Sequence, residues 1–205
     1  PVDPVTWREA RLVAYQSRRL ARRFRRRVDS APPELREDVA RGYYQLLAYK
    51  DEYEVARLHL ETMDRARAEF DGDFRPTFHL APPFLAGKGQ ERPKKRQFGP
   101  WVIPAFRLLA ALKSLRGTPR DPFGWNPERR LERRLIAEFE ADMAEILPKL
   151  RPETIELARD LTRLPLSIRG YGPVKEASAA QAALRRADLL AAIRAGGAPL
   201  PMAAQ

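Results

Sequence analysis

No cysteine occurs among the 205 residues. That excludes a disulfide framework, a thiolate zinc site, a cysteine nucleophile and an iron–sulfur cluster ligated by this chain alone. Histidine is almost as scarce. His59 and His79 are the two imidazoles, so a self-contained transition-metal site is not expected. No apolar run approaches the roughly 20 residues that span a bilayer. The start of the sequence lacks the basic segment and apolar block of a secretory signal. The expected location is therefore the cytoplasm, with no membrane partner. The first residue is Pro1 rather than Met, which suggests a processed, trimmed or excised chain.

Charge is abundant and unevenly placed. Charged residues make up 32% of the chain, hydrophobic residues 44%, and the net charge is +11. The apolar residues are spread along the sequence, so the length suits one domain with a real core. Between Arg8 and Arg27 lie nine arginines against one acid, Glu9. A second basic patch holds Lys88, Arg92, Lys94, Lys95 and Arg96. The basic character is thus local, a feature of binding surfaces more than of the fold.

Periodicity predicts a mainly α fold, a multi-helix orthogonal or bundle domain with one small β-hairpin at about residues 74–98. Asp3-Pro4 pairs an N-cap carboxylate with a proline at the first helical position. The helical segment it opens carries Leu12, Leu20, Phe24 and Val28 and stops near Ser30-Ala31-Pro32-Pro33. A long second helix is expected from Pro33 to about Leu60, then a short one from Asp64 to Phe70. Phe74, Phe78 and Leu80 alternate with polar residues as in a half-buried strand, with Lys94 to Phe98 as its partner. Further helices are expected from about Val102 to Arg116, from Asn126-Pro127 to Leu147, from Pro152 to just before Pro165, and from Pro173 to near Gly196-Gly197. The expected division is an Arg-rich helix and linker at 1–32, leading in from an upstream catalytic region, a helical domain at 33–196, and a disordered tail at 197–205.

Four features could carry chemistry. The Arg-rich segment could neutralise phosphates, but no nucleic-acid motif or aromatic stacking platform accompanies it. Nucleic acid is disfavoured, and a protein-docking face of Arg18, Arg19, Arg22, Arg23 and Arg26 is the preferred reading. On the second predicted helix Lys50, Tyr53 and Arg57 fall on one stripe with Val39, Tyr43 and Leu46. A partly buried Lys50–Glu54–Arg57 network is expected there, because an unpaired buried cation costs several kcal/mol. His79 falls on the strand face opposite Phe78, exposed or at an interface. Arg169-Gly170-Tyr171-Gly172-Pro173-Val174-Lys175 leads into a helix whose N-terminus, with Arg169 and Lys175, could hold an anion. It is not a phosphate-loop or dinucleotide fingerprint, and a tight loop with a packed Tyr171 is preferred. No nucleophile, base and carboxylate stand at a spacing that supports a triad, so no catalytic residue is assigned.

Several strings resemble one family in order. The run Leu47-Ala48-Tyr49-Lys50-Asp51-Glu52-Tyr53-Glu54-Val55-Ala56-Arg57-Leu58 looks like the hallmark of a C-terminal helical domain in fused, bacterial-type indolepyruvate ferredoxin oxidoreductases. Similar landmarks follow: Phe74 to Pro83, Phe98-Gly99-Pro100-Trp101, Leu115-Arg116-Gly117-Thr118-Pro119, Asp121-Pro122-Phe123-Gly124, Arg129-Arg130-Leu131-Glu132-Arg133 and Arg169 to Glu176. The resemblance covers most of residues 35–190. It implies an oligomeric parent enzyme that oxidatively decarboxylates aryl 2-oxoacids to acyl-CoA, using thiamine diphosphate, Mg2+ and [4Fe-4S] clusters, with CoA as substrate and electrons passed to ferredoxin. Those cofactors belong to other domains of such enzymes, and none is expected on this chain. The implied role here is a non-catalytic domain or subunit that packs on the catalytic domains, supporting assembly or active-site closure. The alternative is an independent basic module that binds nucleic acid or another polyanion.

Overall fold

A computed structural model describes residues 2–70, 72, 75–80 and 96–197. Among these are eight α-helices and one two-stranded antiparallel hairpin, so the fold is mainly α. The expected single domain is replaced by two compact units, residues 1–49 with 117–205 and residues 50–116.

The first unit is built from α1 (Pro4–Tyr15), α2 (Arg18–Asp29), α3 (Pro33–Leu47), α6 (Pro127–Ile146), α7 (Ile155–Arg163) and α8 (Pro173–Arg194). The expected helical segment from Asp3 to Ser30 is two helices. Asp3 caps α1 by accepting the Thr6 N–H at 2.8 Å. Ser17 then caps a fresh helix by accepting the Leu20 N–H at 3.2 Å. Nor is there a boundary at residue 32. Leu12, Tyr15, Phe24 and Val28 are buried in the same core as Leu35, Tyr43, Phe139 and Leu189. Fully buried side chains such as Leu12 and Phe24 contribute about 1.5–3 kcal/mol each. The Arg-rich helices are part of this core and not a linker. The expected tail lies, from residue 198 on, outside the described residues.

Tyr43 of α3 sits at the centre, stacked between Phe139 at 5.4 Å and Phe24 at 6.1 Å. Its hydroxyl donates to Glu140, which also accepts two bonds from Arg23 at 2.6 and 2.7 Å. Burial pushes the Glu140 carboxyl up, but the bonds from Arg23 and Tyr43 outweigh it and hold the group below its ordinary value. Further pairs lace neighbouring helices: Arg8 to Glu37 (2.9 Å), Arg163 to Asp38 (2.7 Å) and Arg186 to Asp142 (2.6 Å). Gly42 is the close-approach point of α3 and α7. A Cβ there would lie 1.9 Å from the Thr162 carbonyl oxygen, which explains a residue that otherwise costs a helix interior about 1 kcal/mol.

The second unit holds α4 (Glu52–Glu69), β1 (Phe78–Leu80), β2 (Arg96–Phe98) and α5 (Ile103–Ala111), the last flanked by 3-10 turns at Pro100–Val102 and Leu112–Leu115. The hairpin pairs Phe78 with Phe98, His79 with Gln97 and Leu80 with Arg96. Its core is Ala56, Met63, Phe78, Val102 and Phe106. His59 stacks on Phe106 at 5.1 Å and meets Phe78 edge-on at 5.4 Å. Burial, with the positive charge of Lys50 added, holds this imidazole below its ordinary value.

The expected long helix from Pro33 to Leu60 is broken. α3 ends at Leu47, and Asp51 caps α4 by accepting the Glu54 N–H at 2.9 Å. The second oxygen of that carboxylate takes the Arg116 Nε, while Arg116 Nη2 donates to Asp51 Oδ1 at 2.8 Å. Both side chains are 2% exposed, and the guanidinium lies over the Tyr53 ring at 5.5 Å. One buried pair therefore joins Asp51, the second residue of the unit, to Arg116, its last. The expected helix from Asp64 to Phe70 is the last turns of α4.

Candidate functional site

The break before α4 decides the fate of the expected Lys50–Glu54–Arg57 network. Arg57 pairs with Glu54 at 2.7 Å and with Glu61 at 2.9 Å, all three partly buried. Lys50 lies outside α4, before the Asp51 cap, and is exposed. The 100° stripe does not continue through an irregular linker, so Lys50 and Glu54 are not a helical i,i+4 pair. His79 is exposed on β1, the face opposite Phe78.

The five arginines of the expected docking face are all exposed. Arg23 is committed to Glu140, and Arg22 donates to the Arg18 carbonyl at 3.4 Å. Other arginines of the cluster are also paired, Arg8 with Glu37 and Arg25 with Glu9 and Thr6, while exposed Arg11 lies over the exposed Trp7 ring. What α2 presents outward is Arg18, Arg19, Arg22 and Arg26.

The lead-in to α8 differs more. Gly170 and Gly172 take positive φ, 93° and 54°, which lets the chain turn tightly into Pro173. Tyr171 is not packed in this turn. It is 62% exposed, because the left-handed residues on either side throw it outward. Arg169 is exposed and donates to the Leu166 carbonyl at 3.1 Å, while its N–H is held by Ser178 Oγ at 3.2 Å.

Lys175 is the one residue of this lead-in that reaches a built site. Its Nζ pairs with Glu132 of α6, and both are largely buried, 14% and 3% exposed. A cation in the first turn of α8 opposes the helix dipole, and Glu132 reverses that cost. Beside Glu132, Arg129 lies 3.9 Å away and also contacts Glu128 at 3.3 Å. The Arg129 guanidinium sits over the Tyr49 ring at 5.3 Å, and the Tyr49 carbonyl accepts the buried Tyr15 hydroxyl at 2.8 Å. Lys175, Glu132, Arg129, Tyr49 and Tyr15 thus form one largely buried chain linking α8, α6, the segment just after α3, and α1. Nearby, Asp121 accepts the N–H groups of Gly117 (2.9 Å) and Phe123 (3.1 Å), fixing the loop before α6.

Burial holds the Glu132 carboxyl above its ordinary value, and Lys175 and Arg129 only partly offset this. A raised folded value means that its contribution is fully present below about pH 4.5 and is lost as pH rises through the folded value. Urea unfolding of wild type and Glu132→Gln across pH 4 to 7 checks this. Wild-type stability relative to the variant should fall as pH rises; a relative rise contradicts it. Chemically, the cluster can hold or release one proton and clamp helices together.

Residues 2–188 match a family described as a family of unknown function (DUF6537). The chain belongs to the DUF6537 family. The match starts at residue 2 and runs through both units, so the Arg-rich α1 and α2 are part of the DUF6537 domain. No curated protein and no solved structure matches this DUF6537 chain. The donor chemistry does not fit an iron–sulfur cluster, which needs thiolates that the sequence lacks. Among the described residues no three His, Asp or Glu side chains converge as metal ligands. No helix among them is long and apolar enough to cross a membrane.

Proposed function

We propose that this chain is a non-catalytic packing module of an aryl 2-oxoacid, indolepyruvate-type, ferredoxin oxidoreductase. It acts on the domains that carry thiamine diphosphate, Mg2+ and the [4Fe-4S] clusters, in the cytoplasm, and supports assembly or closure of the active site. The parent reaction is oxidative decarboxylation of an aryl pyruvate to acyl-CoA, with electrons leaving to ferredoxin. One observation carries the reading. Several charged residues of the landmark strings are spent on partners inside the fold. Asp51 holds Arg116, Glu54 holds Arg57, Asp121 holds its own loop, and Glu132 holds Lys175. Residues used in this way stiffen each of the two units from within, as an assembly module requires, and leave the chemistry to other domains.

Deleting the module tests it. The parent enzyme lacking residues 35–190 should lose its assembled state or most of its turnover of indolepyruvate. Intact assembly and turnover, with tight and salt-sensitive binding of DNA or RNA by the isolated chain, would instead establish the polyanion module to which exposed Arg18, Arg19, Arg22 and Arg26 are suited.

A further inference from the structure

α5 and the turns that flank it are apolar on both sides. Inward, Val102 and Phe106 are buried. Outward, Trp101, Pro104, Ala105, Leu108, Ala111 and Leu112 are all exposed, Trp101 at 71% and Leu108 at 61%. Their spacings of three, four and seven residues put them on one continuous stripe about three turns long. A surface helix normally places polar residues there, and a contiguous exposed apolar face marks an interaction site. The edges of the stripe are basic. Arg107 and Arg96 are exposed and Lys113 is half-buried, and from Arg96 to Lys113 the sequence carries three cations and no acid.

We propose that the Trp101–Leu108–Leu112 face docks on a partner protein whose surface offers an apolar groove rimmed by Asp and Glu. Under the function proposed above, the partner is the catalytic polypeptide, and the inference rests on that reading for the partner's identity. Charge selects this occupant over two others. The stripe runs from residue 101 to 112, so antiparallel pairing with a second copy centres between Phe106 and Arg107 and sets each Arg107 beside its own copy. An anionic lipid surface also attracts the basic edges, but α4 in the same unit carries five acids, Glu52, Glu54, Glu61, Asp64 and Glu69, against three arginines, Arg57, Arg65 and Arg67, a net negative charge that such a surface disfavours. Half of the stripe is also Ala and Pro, which suits close approach of a protein backbone and offers little to insert into lipid.

The test is binding of the full chain to the polypeptide that carries the thiamine diphosphate and iron–sulfur domains, measured by calorimetry with Leu108→Asp, Arg107→Glu and Leu184→Asp. Leu184 is an exposed apolar residue on α8, remote in sequence from the stripe. Because Leu108 is exposed, its variant should keep the wild-type circular dichroism. The expected result is at least about tenfold weaker binding for Leu108→Asp, weaker and less salt-dependent binding for Arg107→Glu, and wild-type affinity for Leu184→Asp. Wild-type affinity in Leu108→Asp overturns the surface while leaving the function standing. If that variant also abolishes sedimentation with phosphatidylglycerol vesicles, the face is a lipid contact; if it abolishes self-association in the ultracentrifuge, the face is a contact between copies. Absence of any complex with the wild-type chain overturns the functional reading and this surface with it.

Discussion

Arg116→Met should destabilise the second unit by about 3–5 kcal/mol, the cost of leaving one partner of a buried ion pair uncompensated. Asp51 is 2% exposed and has no access to water that could replace the guanidinium. The loss should appear in native-state hydrogen exchange as lower protection of the α4 and α5 amides, since these helices fold together in the unit that the pair closes. The double variant Asp51→Asn with Arg116→Met should recover most of the loss, because an amide retains the cap on α4 and no buried charge remains. A single variant that costs less than about 1 kcal/mol, the range of exposed pairs, would show that the pair is solvated in solution.

Gly42→Ala should destabilise the first unit even though alanine is the better helix former. Alanine gains about 1 kcal/mol of helix propensity. Against this, its Cβ would meet the Thr162 carbonyl oxygen at 1.9 Å and the carbonyl carbon at 3.2 Å. Both are backbone atoms, so relief requires α3 and α7 to move apart within a packed core, and overpacking of this kind costs typically about 1–3 kcal/mol and occasionally more. The expected net loss is about 2 kcal/mol, read as a lower urea midpoint. An unchanged or higher midpoint would mean that the two helices are not in contact at Gly42.

Two helix starts inside the expected longer helices carry local signals. Ser17 and Asp51 are both good N-cap residues, and Asp51 stands three positions before Glu54, the spacing of a capping box. Continuous apolar periodicity across Ala14–Leu20 and Leu46–Tyr53 concealed them, because a helix restarting after a two- to four-residue gap can keep its apolar face roughly in phase. The hairpin was legible because Phe78 and Leu80 alternate with His79, and α6 because Asn126-Pro127-Glu128 states its start. The candidate cluster was only partly legible. Lys175 could be singled out from its place beside a helix N-terminus, but Glu132 lies 43 residues away and reads locally as one more surface acid on an amphipathic helix. The two-unit division left no mark in composition, since nothing at Tyr49–Lys50 or Arg116–Gly117 announces a boundary. The pairing of Arg8 and Arg23 was equally silent, because it depends on Glu37 and Glu140 arriving from other helices.

The most direct measurement is turnover of indolepyruvate by the parent enzyme with residues 35–190 removed, repeated after adding back the isolated chain. Turnover should collapse on deletion and return, at least in part, when the chain is supplied in trans. Full turnover and normal assembly without these residues would contradict it.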